Sequence, residues 1–249
     1  MCEVRLAGLR DWFLTYVRSY YNEDPDIQLH MKQKEDHTLR VTAYCRQLAE
    51  HLGFSPRDAM LAELIGLFHD VGRFQQYTLY RTFDDRLSIN HAQLGLQEIA
   101  GLEQLAAVLG DDREVFETAI LYHNAIRLPD GLTKRQELFC KLIRDADKLD
   151  IYYVLAPYLE PPTPAGYSSC FIEDLLSGKQ SDFANLKTPD DRKLVRLNWI
   201  YDVNFSWTLQ RIKERGYVED ILSYLPQNSD IAAVREKLQA YIQDKTKHI

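Results

Sequence analysis

An apolar run, Leu64-Ile65-Gly66-Leu67-Phe68, ends in two polar residues side by side, His69 and Asp70, followed by Val71 and Gly72. Burying an imidazole and a carboxylate together costs several kcal/mol unless each finds a partner. The same conflict recurs at helical spacing along the chain. His37 stands four residues before Val41 and seven before Tyr44. His69 follows Ala62 and Ile65, His123 follows Phe116, Ala119 and Ile120, and Asp147 follows Cys140 and Ile143, all at three-, four- or seven-residue steps. His91 opens a segment whose inward positions are Leu94, Gly95 and Glu98. Residues at these steps share one face of a helix, so each polar side chain lies on an apolar stripe.

One such histidine alone reads as an ordinary buried polar group bonded to a backbone carbonyl. Four histidines (His37, His69, His91, His123) and two aspartates (Asp70, Asp147) on five helices are a different matter. Unpaired, they would load the core with polar groups, and a cation removes that penalty. Neutral imidazoles and carboxylates suit divalent iron, manganese, nickel or zinc. Neighbours on a helix diverge by about 100°. A helix end loosening near Gly72 would let Asp70 swing around an ion beside His69, or bridge two ions.

The rest of the sequence reads as helix, with scarce β alternation, so the fold class is all-α. Helices are expected over 4–21, 33–53, 55–72, from 91 onward, and over 112–124, 133–155, 190–214, 217–225 and 229–246. Gly53 is placed to end its helix, Ser55-Pro56 to start one, and Ser88 or Asn90 to cap another. The turn Leu128-Pro129-Asp130-Gly131 and the Pro-rich stretch 156–169 are loops. The 249 residues, 45% of them hydrophobic, fit a single domain over 1–249, with a metal-binding core at 25–155 and a helical extension at 156–249.

The net charge of -7 and the lack of a basic tract argue against nucleic acid as the partner. The four cysteines (Cys2, Cys45, Cys140, Cys170) form no CxxC pair and suggest neither zinc nor a disulfide scaffold. The N-terminus has no apolar signal core and no window is apolar enough to span a membrane, so a cytoplasmic protein is expected.

The order His37, then His69-Asp70, then Asp147 resembles the HD-domain superfamily of metal-dependent phosphohydrolases. The blocks DHTLRV (36–41), LFHDVGRF (67–74), NHAQLG (90–95), LYHN (121–124) and RDADKLD (144–150) carry the resemblance, which covers residues 25 to 155. It implies an HD-domain helical bundle with His37, His69, Asp70 and Asp147 as metal ligands. His91 and His123 resemble the additional histidines of two-metal members, in which Asp70 would bridge the ions; in single-metal members they would face the substrate. Arg73 stands where some two-metal phosphodiesterases have a phosphate-binding lysine. Tyr122-His123 replaces the paired histidine of the cyclic-dinucleotide branch, and the downstream Gly-Tyr-Pro signature is missing, which argues against that substrate.

The resemblance thus implies one or two divalent ions and hydrolysis of a small phosphorylated substrate such as a nucleotide, by attack of a metal-activated water. Asp70, Arg73 and Lys148 are the candidate catalytic residues. Arg40, Arg73 and Lys148 are the candidate phosphate-binding cations. For Arg40 and Arg144 an outer salt bridge to a ligand competes with that role. Lys148 has Asp150 and Glu137 as competing partners. Tyr77, Tyr80 and Phe83 are candidates for a substrate mouth or for core packing. Two other functions fit the same ligands: a di-iron oxygenase of this superfamily, or a non-catalytic nucleotide sensor. The C-terminal helices are candidates for a homodimer surface or a lid.

Overall fold

The computed structural model describes residues 2–247. Among them there are α-helices, short 3-10 turns and no strand, the all-α class expected from the sequence. The helices are α1 (Cys2–Arg18), α2 (Pro25–His51), α3 (Pro56–Phe68), α4 (Gly72–Tyr80), α5 (His91–Ile99), α6 (Glu103–Leu109), α7 (Arg113–Tyr122), α8 (Lys134–Leu155), α9 (Ser169–Ser177), α10 (Pro189–Asn198), α11 (Ser206–Glu214), α12 (Tyr217–Ser223) and α13 (Ser229–Thr246). None is long and apolar enough to cross a membrane. The chain divides into two compact units, Met1–Asp147 and Lys148–Ile249, so the division falls inside α8.

The N-terminal unit is built around α3. Almost every residue of α3 from Ala59 to Phe68 is buried, which is the mark of a helix enclosed by others. Ser55 caps it through the Asp58 amide, with Pro56 in the first turn. α2 is capped by Asp24, starts earlier than its apolar pattern suggests, and stops where Gly53 turns left-handed at φ 68°. Phe13, Phe68, Phe74, Phe116 and Phe139 fill the core, all at most 1% exposed. Two glycines set the spacing. A Cβ on Gly66 would meet the Thr42 Cα and Cys45 Sγ at 2.9 Å, so α2 and α3 approach as closely as they do because that position is bare. A Cβ on Gly72 would run into the His91 carbonyl and lie 2.5 Å from the Gly95 amide, which fixes α4 against α5 in the same way.

Gly72 therefore does not end a helix, as its sequence position suggests. α3 stops at Phe68, and Gly72 opens α4, a helix the pattern does not announce. Asn90 rather than Ser88 caps α5, accepting from the Gln93 amide.

In the C-terminal unit, the single helix expected over 190–214 is broken. α10 passes through a 3-10 turn (Trp199–Asp202) into extended Val203, and Asn204 Nδ2 donates to the Asp202 carbonyl, competing with helical bonding. α9, ended by left-handed Gly178, is an additional helix. A Thr188/Asp191 capping box opens α10, and the fully buried Asp190 and Asp191 accept bonds from Thr163 and Ser168 of the Pro-rich loop. Cys45, Cys140 and Cys170 are free thiols; the Cys2 side chain lies outside those described.

Candidate metal centre

Five helices of the N-terminal unit deliver the six ligand candidates to one place. His37 comes from the middle of α2, His69 and Asp70 from the turn after α3, His91 from the first turn of α5, His123 from the end of α7 and Asp147 from α8. His37, His69, Asp70, His91 and His123 are at most 5% exposed; Asp147 is partly buried. Asp70 is central. Its Oδ2 lies 3.5 Å from His37 Nε2 and 3.6 Å from His69 Nε2, while its Oδ1 lies 3.2 Å from His91 Nε2 and 3.7 Å from His123 Nε2. Asp147 Oδ1 closes the other side, 3.2 Å from His37 Nε2 and 3.8 Å from His69 Nε2.

The far nitrogen of three imidazoles is already committed. His69 Nδ1 donates to the Gly66 carbonyl at 2.8 Å, and His123 Nδ1 donates to the Ile120 carbonyl at 2.7 Å. His91 Nδ1 donates to Asp85 at 2.8 Å. A carbonyl or carboxylate can only accept, so these bonds put the proton on Nδ1 and leave a lone pair on each neutral Nε2. Burial pushes His69 down to about 3 and also lowers His91. Lone pairs then face one another. His91 Nε2 and His123 Nε2 are 2.9 Å apart, and the buried His69 Nε2 has no hydrogen-bond partner.

Burial opposes ionisation of Asp70, but the charges of Lys34 and Arg73 outweigh it and hold the carboxylate well below its usual range. Burial likewise opposes ionisation of Asp147, and the hydrogen bond from His37 prevails, leaving the carboxylate below its usual range. Around Asp70 the centre thus turns the Nε2 lone pairs of His69, His91 and His123 toward one another and toward a carboxylate, a conflict that a cation reconciles and apolar packing does not. Donors about 2.1 Å from one ion stand about 3.0–3.5 Å apart at right-angled or tetrahedral geometry, close to the spacings found here. The described residues offer three such groups: His37-His69-Asp70, His69-His123-Asp147 and Asp70-His91-His123.

Two outer groups hold the donors. Asp85 accepts from His91, from Arg73 NH1 at 3.0 Å, from Gln76 Nε2 at 2.8 Å and from Asn124 Nδ2 at 2.9 Å. Burial works against its charge, but the His91 hydrogen bond and Arg73 leave it well below the usual carboxylate range. Arg144, buried on α8, donates to the carbonyls of His123 and Ala125 and so fixes the turn that aims His123.

Of the cations expected near phosphate, Arg73 lies beside Asp70 with Nε 3.4 Å from Oδ1, and its NH1 is bonded to Gln76, the Phe83 carbonyl and Asp85. Arg40 is half-buried on α2. Lys148 pairs with Asp202 of the C-terminal unit at 2.7 Å, while Glu137 pairs with Lys141. The cation in closest contact with Asp70 is one that the sequence pattern alone passes over. Lys34 Nζ is 2.7 Å from Asp70 Oδ2 and 5.3 Å from the Phe83 ring centre. The available signal was its place three residues before His37, on the same helical face. Asp85 gave no periodic signal, because it sits in a turn. Tyr77 is buried, stacked on His30 at 4.2 Å and donating to Asp26; Phe83 is half-buried and Tyr80 exposed.

Residues 35–152 match the HD domain family. These residues are an HD domain. The matched span takes in all six ligand candidates and both outer groups, and it begins one residue after Lys34. Neither a curated protein nor a solved structure matches the chain. Membership places this HD domain in a superfamily of metal-dependent phosphohydrolases, and its clustered histidines and aspartates are able to hold a metal ion.

Proposed function

We propose that this HD-domain protein is a phosphohydrolase with a two-ion site that cleaves a nucleotide or other small phosphate ester. The observation that carries this reading is the division of the Asp70 carboxylate, with Oδ2 turned to His37 and His69 and Oδ1 turned to His91 and His123. His37, His69, Asp70 and Asp147 would hold one ion, and Asp70, His91 and His123 the other. Ions of iron, manganese, nickel or zinc held there would supply a water of lowered pKa and polarise a phosphoryl oxygen.

The chain's own groups do the rest. Gly66, Ile120 and Asp85 keep the Nε2 lone pairs of His69, His123 and His91 turned inward, so these imidazoles need not turn when the site is loaded. The near-complete burial of the donors excludes bulk water and strengthens every charge interaction within the site. Arg73 and Lys34 bring positive charge to the Asp70 side, where a transferring phosphoryl group needs it. Arg40, one turn past His37, is a further candidate for that role. Lys148, with its charge on Asp202, is less suited to meet phosphate in this arrangement.

Metal analysis of the purified protein, joined to an anaerobic screen of nucleotides and phosphodiesters, tests the proposal. About two ions per chain and phosphate release without oxygen are expected. Oxygen uptake coupled to substrate loss would favour a di-iron oxygenase instead. Nucleotide binding without turnover by the fully loaded protein would favour a sensor.

A further inference from the structure

Lys34 lies outside the span shared with the family, yet its ammonium makes the shortest contact to the central carboxylate. Nζ is 2.7 Å from Asp70 Oδ2, the same oxygen that faces His37 Nε2 and His69 Nε2. The Lys34 side chain is 20% exposed where Asp70 is 4% exposed, so the ammonium stands on the solvent side of the centre. Arg73 also faces Asp70, but its guanidinium is pinned by Gln76, the Phe83 carbonyl and Asp85. Lys34 is held differently: one charge on a flexible four-carbon stem, passing over the Phe83 ring.

An ammonium and a divalent ion cannot both sit close to one carboxylate oxygen without strong repulsion. Without the ion, Asp70 would be a buried charge requiring an internal partner. We propose that Lys34 is a positioning residue that exchanges partners: it neutralises Asp70 in the metal-free protein, and when an ion takes over that charge the ammonium turns to a phosphate oxygen of the substrate. The proposal rests on the two-ion reading above for the existence of the ion and goes beyond it in naming what Lys34 does.

Lys34→Met keeps the length of the stem and removes the charge; Lys34→Arg restores a cation. The Mn2+ affinity of chelator-stripped protein is measured by calorimetry, along with its Tm and the affinity of the Mn2+-loaded protein for inorganic phosphate. The expected result for Lys34→Met has opposite signs. Mn2+ binds on the order of tenfold more tightly because a competing charge is gone, while the metal-free Tm falls and phosphate binds at least about tenfold more weakly. Lys34→Arg recovers phosphate binding. A lysine that merely supports the fold would weaken Mn2+ binding when removed, and that outcome overturns the proposal, as does unchanged phosphate affinity. A wild-type protein that takes up no Mn2+ sinks both readings. A wild type that binds Mn2+, with Lys34→Met no tighter, sinks this one alone.

Discussion

Asp85 accepts a hydrogen bond from Nδ1 of His91 at 2.8 Å, and the same carboxylate gathers Arg73, Gln76 and Asn124. It therefore fixes the proton on Nδ1 and turns the Nε2 lone pair of His91 toward Asp70. Asp85→Asn keeps the shape but loses the charge that anchors this network. Removing a partner of this kind typically lowers metal affinity about 10–100-fold. The expected outcome is selective: bound metal falls from about two ions per chain to about one, because His37, His69 and Asp147 do not depend on Asp85. Metal analysis after dialysis against a weak chelator measures this, and loss of both ions together would contradict it.

Gly72→Ala tests the close approach that puts His91 in place. The added Cβ would run into the His91 carbonyl and lie 2.5 Å from the Gly95 amide, both backbone atoms that cannot rotate away. Forcing a methyl group into such a contact costs about 1–3 kcal/mol. A Tm lower by several degrees is expected, together with loss of the ion held by His91 and His123. An unchanged Tm would mean that α4 and α5 separate without cost.

The ligands were legible from the sequence because helical periodicity is a strong signal over long segments. His37, His69, His123 and Asp147 each occupy an apolar stripe, so the conflict between polarity and burial marks them in the residue pattern itself. The groups around them were not legible for a physical reason. Asp85 lies in a turn, where acidic residues are ordinary, and its role depends on the fold bringing Gln76, His91 and Asn124 to it. Gly72 has the sequence look of a helix stop, whereas its function is to lack a Cβ where two backbones meet. Lys34 reads as one more charge beside Lys32, Glu35 and Asp36, and only the packing of α3 places Asp70 opposite it.

Asp70 is shared between the two sets of histidines, so its removal affects both. Asp70→Ala is expected to abolish phosphohydrolase turnover and tight metal retention while leaving the helical circular dichroism spectrum largely intact. The fold survives because the variant also relieves His91 and His123 of a buried neighbour and frees Lys34 to reach solvent. Normal activity, or normal retention of metal after dialysis, would contradict the assignment of Asp70 as the shared ligand.

The buried imidazole of His69 gives the metal-free protein a pH dependence whose sign is fixed. Burial lowers its pKa to about 3 in the folded chain, against about 6.5 when unfolded. As pH falls below about 6.5, the unfolded chain binds a proton that the folded chain refuses, so stability is lost progressively toward pH 3. One such proton gives a slope of about 1.4 kcal/mol per pH unit once the unfolded histidine is charged. Asp70, held below its usual range by the charges of Lys34 and Arg73, adds a loss of the same sign only below about pH 4. Urea unfolding of chelator-treated protein between pH 6.5 and 4.5 isolates the histidine contribution, to which the lowered His91 adds with the same sign, and His69→Gln should make that part of the profile shallower. Bound metal should raise stability at pH 7 and be released as pH falls, because protons compete for the same Nε2 lone pairs. A metal-free protein equally stable at pH 6.5 and 4.5 would show that His69 is not held neutral in the core.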